Sequence, residues 1–321
     1  RARGEDIPDY ADQLFSADRA GSFTHFYDTM SSGQLEIDGT VLPHRYTSPK
    51  PASAYLAPRA DQWGGYSDFA KDILALVDAD TDLSRFDNNG EDGVPNSGDD
   101  DRSVDYVFLI MRSVPDNFIK GGADGKAGIF PGYFRSSDLS PKGRPVVVMG
   151  KRYSSSLMVE GSFEKTVGVM AHEFGHGLGL PDLYDPDYLD DPRLKPVRDS
   201  AGIGLWGLMG HGAHGWTGRD GPSPMTAWSR EQLGWLGPEN SQLVVADPSY
   251  VPFEMNDPDL SGTVYKIWLD QDSEFDQEER EYLLLEYVDR RSHHYNRQLP
   301  DDGVLVWHVR PRLPDNSDEA Y

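Results

Sequence analysis

The segment "AHEFGHGLGLPDLYD", residues 171–185, places several residues that can bind metal or transfer protons close together. If its first half is helical, His172 and His176 lie about 40° apart around the helix and about 6 Å apart along it. Both imidazoles can then reach one zinc ion, which binds histidine nitrogen at about 2.0–2.1 Å. Glu173 flanks these ligands and could act on water as a general base. The pattern predicts a catalytic zinc site.

The residues that follow the second histidine predict how a third ligand reaches the metal. Gly179 tolerates the positive φ of a helix end, and Pro181 cannot continue the helix. The chain can therefore reverse and bring Asp182 back to the metal as an oxygen ligand. Asp185 and a glutamate on a later helix are the alternatives. Without a metal, the histidines would be surface residues and the glycine an ordinary helix cap.

A helix over residues 164–178 must position these ligands. Its apolar residues fall on one face, and they are Val167, Met170, Ala171, Phe174 and Leu178. The two histidines lie on the opposite side. We therefore expect one face to pack into a core while the imidazoles point into another space.

The rest of the chain mixes helical and extended patterns. Apolar spacing predicts further helices over residues 22–32, 66–77 and 224–235. The predicted strands are 35–42, 104–110, 144–150, 264–270, 281–289 and 303–310. The pattern becomes β-rich near residue 240. We therefore predict a catalytic domain over 1–240 and a β-rich segment over 241–321, packed on that domain or continuing it.

Composition limits the possible partners and ligands. The 321 residues carry a formal charge of −24, from 54 acidic and 30 basic residues, which argues against a nucleic-acid partner. The sequence contains no apolar run long enough to predict a membrane span. It also shows no apolar leader after Arg1, so we expect any signal peptide to have been removed. Cysteine is absent, so a metal must be held by His, Asp or Glu.

An acidic, glycine-rich segment over residues 87–105 predicts a second kind of metal site. Its oxygen-bearing side chains recur with glycines between them. Calcium takes six to eight oxygen ligands, and the glycines permit the chain to wrap tightly around an ion. It is not a standard EF-hand loop, and a solvated acidic loop is the alternative. The candidate calcium ligands are Asp87, Asn89, Asp92, Asn96, Asp99, Asp101 and Asp105.

Two stretches carry a family resemblance. "HEFGHGLGLPD" resembles the extended zinc motif of metzincin-like peptidases whose third ligand is aspartate, and "GIGLWGLMGHG" (202–212) resembles their Met-turn. The chain as a whole resembles the immune inhibitor A family of secreted bacterial metallopeptidases. Weaker similarity extends over "GSFTHFYDTMSSGQLEIDGTV", "MTAWSREQLGWL" and "LPDDGVLVWHVR".

The resemblance implies an α/β, metzincin-like catalytic domain with a twisted sheet and a zinc-binding helix. The cleft would lie between residues 1–179 and 180–240, with Met209 beneath the metal. His211 would contact the substrate or its transition state, or be a turn residue exposed in the cleft. The implied activity is that of a secreted zinc endopeptidase acting on proteins or peptides. We expect a monomer, although the sequence leaves the oligomeric state and any accessory domains open.

A different class of protein also fits these patterns. A calcium-stabilised binding or adhesion module could hold a structural zinc ion at the same residues. A structural zinc site normally closes its fourth position with a protein ligand, whereas a catalytic site leaves that position to water. Glu173 favours catalysis, because a structural site needs no base beside the metal.

Overall fold

The structure is a computed structural model. It describes residues 7–59, 62–88, 90–94, 97–100, 103–112, 117–118, 132–134, 147–148, 151–159, 161–184, 202–246, 255–269 and 280–311. Among the helices in these ranges, none is long and apolar enough to cross a membrane.

The chain forms two compact units. The first comprises Arg1–Asp9 and Leu42–Gly161, and the second comprises Tyr10–Val41 and Ser162–Tyr321. The second unit contains the segment with the two histidines and also the β-rich residues after 240. The sequence-based boundary near residue 240 falls inside this unit and stays a prediction about domain organisation.

The first unit contains helix α2 (Tyr66–Asp80) and a four-stranded sheet. The strands are β1 (Ser103–Met111), β2 (Gly132–Phe134), β3 (Val147–Val148) and β4 (Lys151–Val159). Strand β4 pairs in parallel with β1 and antiparallel with β2 and β3. The apolar side of α2 packs on β1, and this core contains Ala70, Ile73, Leu74, Val77, Val104 and Leu109.

In the second unit, helix α1 (Phe23–Ser31) packs against helix α3 (Phe163–Gly177). The Phe174 ring of α3 makes edge-to-face contacts with the rings of Phe23 and Tyr27, at centroid distances of 5.5 and 5.1 Å. The buried Tyr27 hydroxyl also donates a 2.6 Å hydrogen bond to the Ala171 carbonyl. Aromatic packing and a buried hydrogen bond therefore fix the apolar face of α3, as its sequence pattern predicted.

A second four-stranded sheet follows in the same unit. Its order is β5 (Leu243–Val245), β6 (Val264–Trp268), β7 (Tyr282–Val288) and β8 (Gly303–Val309), and all pairs are antiparallel except β5–β6. The short helix α4 (Ala227–Gln232) packs on it. In this core, Ala227 and Leu236 are buried together with Val264 and Leu284 of the sheet.

Glu286 on β7 is a charged residue inside this core. It is buried, and its carboxylate accepts hydrogen bonds from the Trp307 indole and from the backbone N–H of Ala227. Burial raises the pKa of Glu286 to about 7, and the nearby Asp259 adds to the rise, although both hydrogen bonds and Arg230 act in the opposite direction. The folded protein therefore binds the Glu286 proton more tightly than an unfolded chain does.

Glu286→Gln is expected to stabilise the fold selectively at higher pH. A raised pKa contributes stability that is complete below about pH 4.5 and is lost as pH rises to about 7. A rise of the Glu286 pKa from 4.5 to about 7 corresponds to a loss of about 3 kcal/mol in the free energy of unfolding at high pH. The neutral amide of glutamine avoids this loss. We expect the urea midpoint of Glu286→Gln to rise relative to the parent between pH 5 and pH 8.

The control for this experiment is Glu36→Gln, which changes an exposed glutamate. The difference in urea midpoint between Glu36→Gln and the parent should stay constant with pH. If the difference in urea midpoint between Glu286→Gln and the parent is also independent of pH, the buried carboxyl does not titrate in this range.

Two sequence-based predictions differ from the structure. Residues 35–42 show the expected alternation of burial but form no strand. They lie beside α1, where the Thr24 hydroxyl donates to the Ile37 carbonyl, so alternating burial arises without a sheet. The helix predicted over 224–235 covers only Ala227–Gln232. Within the strand predicted over 144–150, the described residues Val147–Val148 do form a strand, and the other five lie outside the described residues.

Candidate metal centre

Helix α3 ends in a backbone turn that starts the chain reversal. Ser162 caps its N-terminus, accepting from the Lys165 N–H. At the other end, Gly179 has φ +98°. The N–H of Gly179 bonds to the His176 carbonyl at 3.0 Å, and that of Leu180 bonds to the Gly175 carbonyl at 3.0 Å. This pair of bonds defines a Schellman motif, which requires the glycine that the sequence provides.

The reversal brings three side chains together. The Nε2 atoms of His172 and His176 lie 3.1 and 3.4 Å from the same oxygen, Oδ1 of Asp182. Among the described residues, these three are the one group of His, Asp or Glu side chains whose candidate ligand atoms all lie within 4.8 Å of one another. Two ligands held at about 2.0–2.1 Å around a tetrahedral ion are about 3.3 Å apart, so both distances fit zinc.

Hydrogen bonding of the two imidazoles supports this fit. The Nδ1 of His172 lies 2.9 Å from the Leu208 carbonyl, and the Nδ1 of His176 lies 2.8 Å from the Leu180 carbonyl. A carbonyl oxygen only accepts, so each Nδ1 carries the proton and each Nε2 of a neutral ring presents a lone pair. Three electron-rich atoms therefore converge, and a cation would satisfy all of them.

The electrostatics keep the carboxylate in the form that binds metal. Burial raises the pKa of Asp182, but its contacts with His172 and His176 outweigh burial and hold that pKa well below its usual range. Burial lowers the pKa of His172, and here the attraction of Asp182 and Glu173 outweighs it, so the pKa is raised. Asp182 is ionised at neutral pH, as a metal ligand must be.

The turn over residues 202–212 packs directly beneath the helix. Leu208 and Met209 are buried, and the Met209 carbonyl accepts a 2.8 Å hydrogen bond from the Leu183 N–H. A Cβ atom at Gly175 would lie 2.6 Å from the Met209 sulfur, and one at Gly168 would lie 1.7 Å from the Ala213 carbonyl oxygen. These two helix positions are on the same face, so glycine at both allows the turn and the adjoining Ala213 to lie against the helix backbone.

Two further residues singled out by the sequence lie in the same unit. Glu173 is 4% exposed, next to His172 on α3. Its negative charge raises the pKa of His172, after the larger effects of burial and Asp182. His211 lies within the turn over residues 202–212, and its backbone N–H donates to the Gly204 carbonyl at 2.7 Å. Burial lowers the pKa of His211, which favours the neutral imidazole.

Sequence reasoning missed Tyr184 and the two carbonyls that orient the histidines. Burial raises the pKa of the Tyr184 hydroxyl, and the nearby Asp182 carboxylate raises it further. The Tyr184 ring stacks on that of His211, with centroids 4.6 Å apart and planes inclined by 26°. A tyrosine two residues after an aspartate carries no special signal in a sequence, because this contact depends on the distant turn.

The candidate calcium ligands are only partly described. Asn89, Asn96 and Asp101 lie outside the described residues, as does Asp185, the rival third zinc ligand. Among the others, Asp87 is buried, whereas Asp92, Asp99 and Asp105 are exposed. The carboxylates that bond to backbone N–H groups of this segment are Asp92, Asp99, Asp100 and Asp105. The described part of the segment thus uses several carboxylates to close its own turns.

Comparisons with known proteins identify the family of the chain. Residues 8–239 match the model of the catalytic domain of the immune inhibitor A peptidases, described as "Immune inhibitor A peptidase M6, catalytic domain". The chain therefore belongs to the immune inhibitor A peptidase family.

The chain is also similar in sequence to two individual proteins. The chain is 31% identical to the immune inhibitor A of Bacillus thuringiensis subsp. alesti over 241 residues, which is 68% of this chain and 33% of that protein. It is 25% identical to the pre-pro-metalloprotease PrtV of Vibrio cholerae serotype O1 over 232 residues, 66% of this chain and 23% of the relative. The chain thus spans a third or less of these relatives. Family and relatives support a metallopeptidase function.

Proposed function

We propose that this chain is the catalytic part of a zinc-dependent endopeptidase that hydrolyses peptide bonds in proteins. The observation that carries the proposal is the convergence of His172, His176 and Asp182 beside the buried Glu173. Three protein ligands leave the fourth position of a tetrahedral zinc ion for water or substrate, as in catalytic sites. A structural site would fill that position with a fourth side chain.

The proposed mechanism assigns a separate task to each residue. Zinc supplies Lewis-acid chemistry when bound, polarising a peptide carbonyl and lowering the pKa of water to about 7. The Glu173 carboxylate takes a proton from the attacking water and transfers it to the nitrogen of the leaving amine. The Leu208 and Leu180 carbonyls hold the two imidazoles in the tautomer that presents Nε2. His211, as a neutral imidazole, would donate a hydrogen bond to the oxygen that becomes negative in the transition state.

The finer features of the family resemblance are part of the same proposal. They are the metzincin-like arrangement, with Met209 beneath the metal and the cleft between residues 1–179 and 180–240. Secretion is proposed from the resemblance to secreted bacterial metallopeptidases, and the proposed substrates are proteins or peptides.

The experiment that tests the proposal measures hydrolysis of a denatured protein before and after removal of zinc with a chelator. We expect activity to disappear with the metal and to return when one equivalent of zinc is added. Stoichiometric zinc without any hydrolysis would instead support a binding module with a structural metal. Hydrolysis that survives complete zinc removal would contradict the proposed chemistry.

Calcium binding by residues 87–105 stays a prediction. The segment combines many carboxylates with glycines, and a bound cation would relieve the repulsion among them. We expect calorimetry to detect at least one calcium ion and the melting temperature to rise with the logarithm of calcium concentration. An alanine substitution of Asp92 should weaken the effect, whereas one of the remote Asp12 should leave it unchanged. A melting temperature indifferent to calcium would contradict the prediction.

A further inference from the structure

Tyr184 lies between two residues that the proposed mechanism uses. The carboxylate of Asp182 lies close enough to the Tyr184 hydroxyl to raise the pKa of Tyr184, after the larger effect of burial. The Tyr184 ring stacks on the imidazole of His211, with the centroids 4.6 Å apart and the planes 26° from parallel. One side chain therefore contacts both the segment that supplies the third ligand and the turn that follows Met209.

The backbone immediately before Tyr184 is fixed by hydrogen bonds to the turn over residues 202–212. The preceding residue, Leu183, donates its N–H to the Met209 carbonyl at 2.8 Å and accepts from the Ile203 N–H at 3.0 Å. Gly202, with φ +52°, allows close approach, because a Cβ atom there would lie 2.8 Å from the Tyr184 Cα. The position of the Tyr184 side chain is thus set by main-chain pairing with the turn.

We propose that Tyr184 is a positioning residue of the metal centre, which orients Asp182 through its hydroxyl and His211 through its ring. This inference rests on the proposed function, since it takes His172, His176 and Asp182 to be zinc ligands. Tyr184 itself supplies no ligand atom.

The physical argument concerns rotation of the carboxylate. The two imidazoles are each fixed by a carbonyl, but the Asp182 side chain can turn about its Cβ–Cγ bond unless an outside group holds it. A phenol hydroxyl donates one hydrogen bond and stays protonated at neutral pH, so it can hold a carboxylate without competing for its charge. Partners of this kind typically contribute about 10–100-fold to metal affinity.

Tyr184→Phe tests the hydroxyl, because it removes that group and keeps the ring. We expect the zinc dissociation constant, measured by competition with a chromophoric chelator, to increase by about 10–100-fold. The matched control is Tyr295→Phe, which removes a buried hydroxyl that bonds to His25 at 2.8 Å, outside the zinc ligands. That variant should lose thermal stability and keep the zinc affinity of the parent.

The outcomes separate this inference from the proposed function. If the parent chain binds no zinc, the proposed function fails. If the parent binds zinc and Tyr184→Phe binds it within about twofold of the parent, the role of the hydroxyl is wrong while the proposed function stands. An equal loss of affinity in Tyr295→Phe would show a general effect of destabilisation and would also overturn the inference.

The ring is tested with Tyr184→Leu and the NMR signals of the His211 imidazole in zinc-loaded protein. Assignment comes from the disappearance of these signals in His211→Asn. We expect the ring-current shift to remain in Tyr184→Phe and to vanish in Tyr184→Leu, because only the former keeps an aromatic face on the imidazole. Unchanged His211 signals in a folded Tyr184→Leu protein would contradict the stacking role. If that variant fails to fold, Tyr184→Phe still tests the hydroxyl.

Discussion

Asp182→Ala is expected to weaken zinc binding by well over about 100-fold and to eliminate peptide hydrolysis at ordinary zinc concentrations. The Asp182 oxygen is the atom that both histidine Nε2 atoms approach, at 3.1 and 3.4 Å. Its removal leaves two imidazoles, which cannot fill three positions of a tetrahedral ion. The loss should therefore exceed that caused by removing a residue that only orients a ligand. The measurement is the zinc dissociation constant, with activity recorded across a zinc titration.

Asp185→Ala is the matched control for this experiment. It deletes the same functional group three residues further along the chain, and we expect a reduction of at most about 10–100-fold in zinc affinity. Asp182→Asn adds a second comparison, because it keeps the shape of the side chain but removes its charge. If Asp185→Ala loses the metal and Asp182→Ala retains it, the ligand assignment is wrong.

Glu173→Gln is expected to lower kcat by at least about 10²–10⁴-fold while zinc remains bound. The side chain is buried beside His172, yet it is not among the three residues whose candidate ligand atoms converge. Glutamine preserves its size and removes only the ability to accept a proton. Zinc content, measured by atomic absorption on the same samples, should equal that of the parent protein. The combination of full metal content and lost turnover distinguishes a general base from a ligand.

Glu164→Gln is the control for the loss of charge, because it changes a glutamate in the first turn of the same helix. It should keep both zinc and activity. Near-parental turnover in a zinc-replete Glu173→Gln protein would contradict the proposed general base. Loss of zinc from that variant would instead assign Glu173 to the ligand set.

Local patterns predicted much of the second unit. The helix expected over 164–178 is observed as Phe163–Gly177, because an apolar face and a helix-ending glycine are both local signals. Strands β7 and β8 lie within one or two residues of their predicted bounds, since a sheet with one buried face alternates visibly. The approach of Asp182 to the histidines also follows from local geometry, because the turn at Gly179 needs only the residues that flank it.

Other features depend on contacts between distant parts of the chain, and the sequence did not reveal them. Strand β4 (Lys151–Val159) begins with the polar run "KRYSSS", which gives no strand pattern of its own and pairs with three other strands. Gly168 and Gly175 have no evident purpose until the turn lies against them. Tyr184 gains its contact with His211 only after residues 202–212 fold back.

The orientation of both imidazoles is determined by main-chain atoms, the carbonyls of Leu180 and Leu208. Side-chain substitution at either leucine leaves the oxygen in place, so natural variation at these two positions need not disturb the histidine tautomers. The sensitive positions are instead those that set the path of the backbone, above all Gly179 with its φ of +98°. Preservation of this candidate metal centre therefore depends on the conformation of two turns as much as on the identities of the three converging side chains.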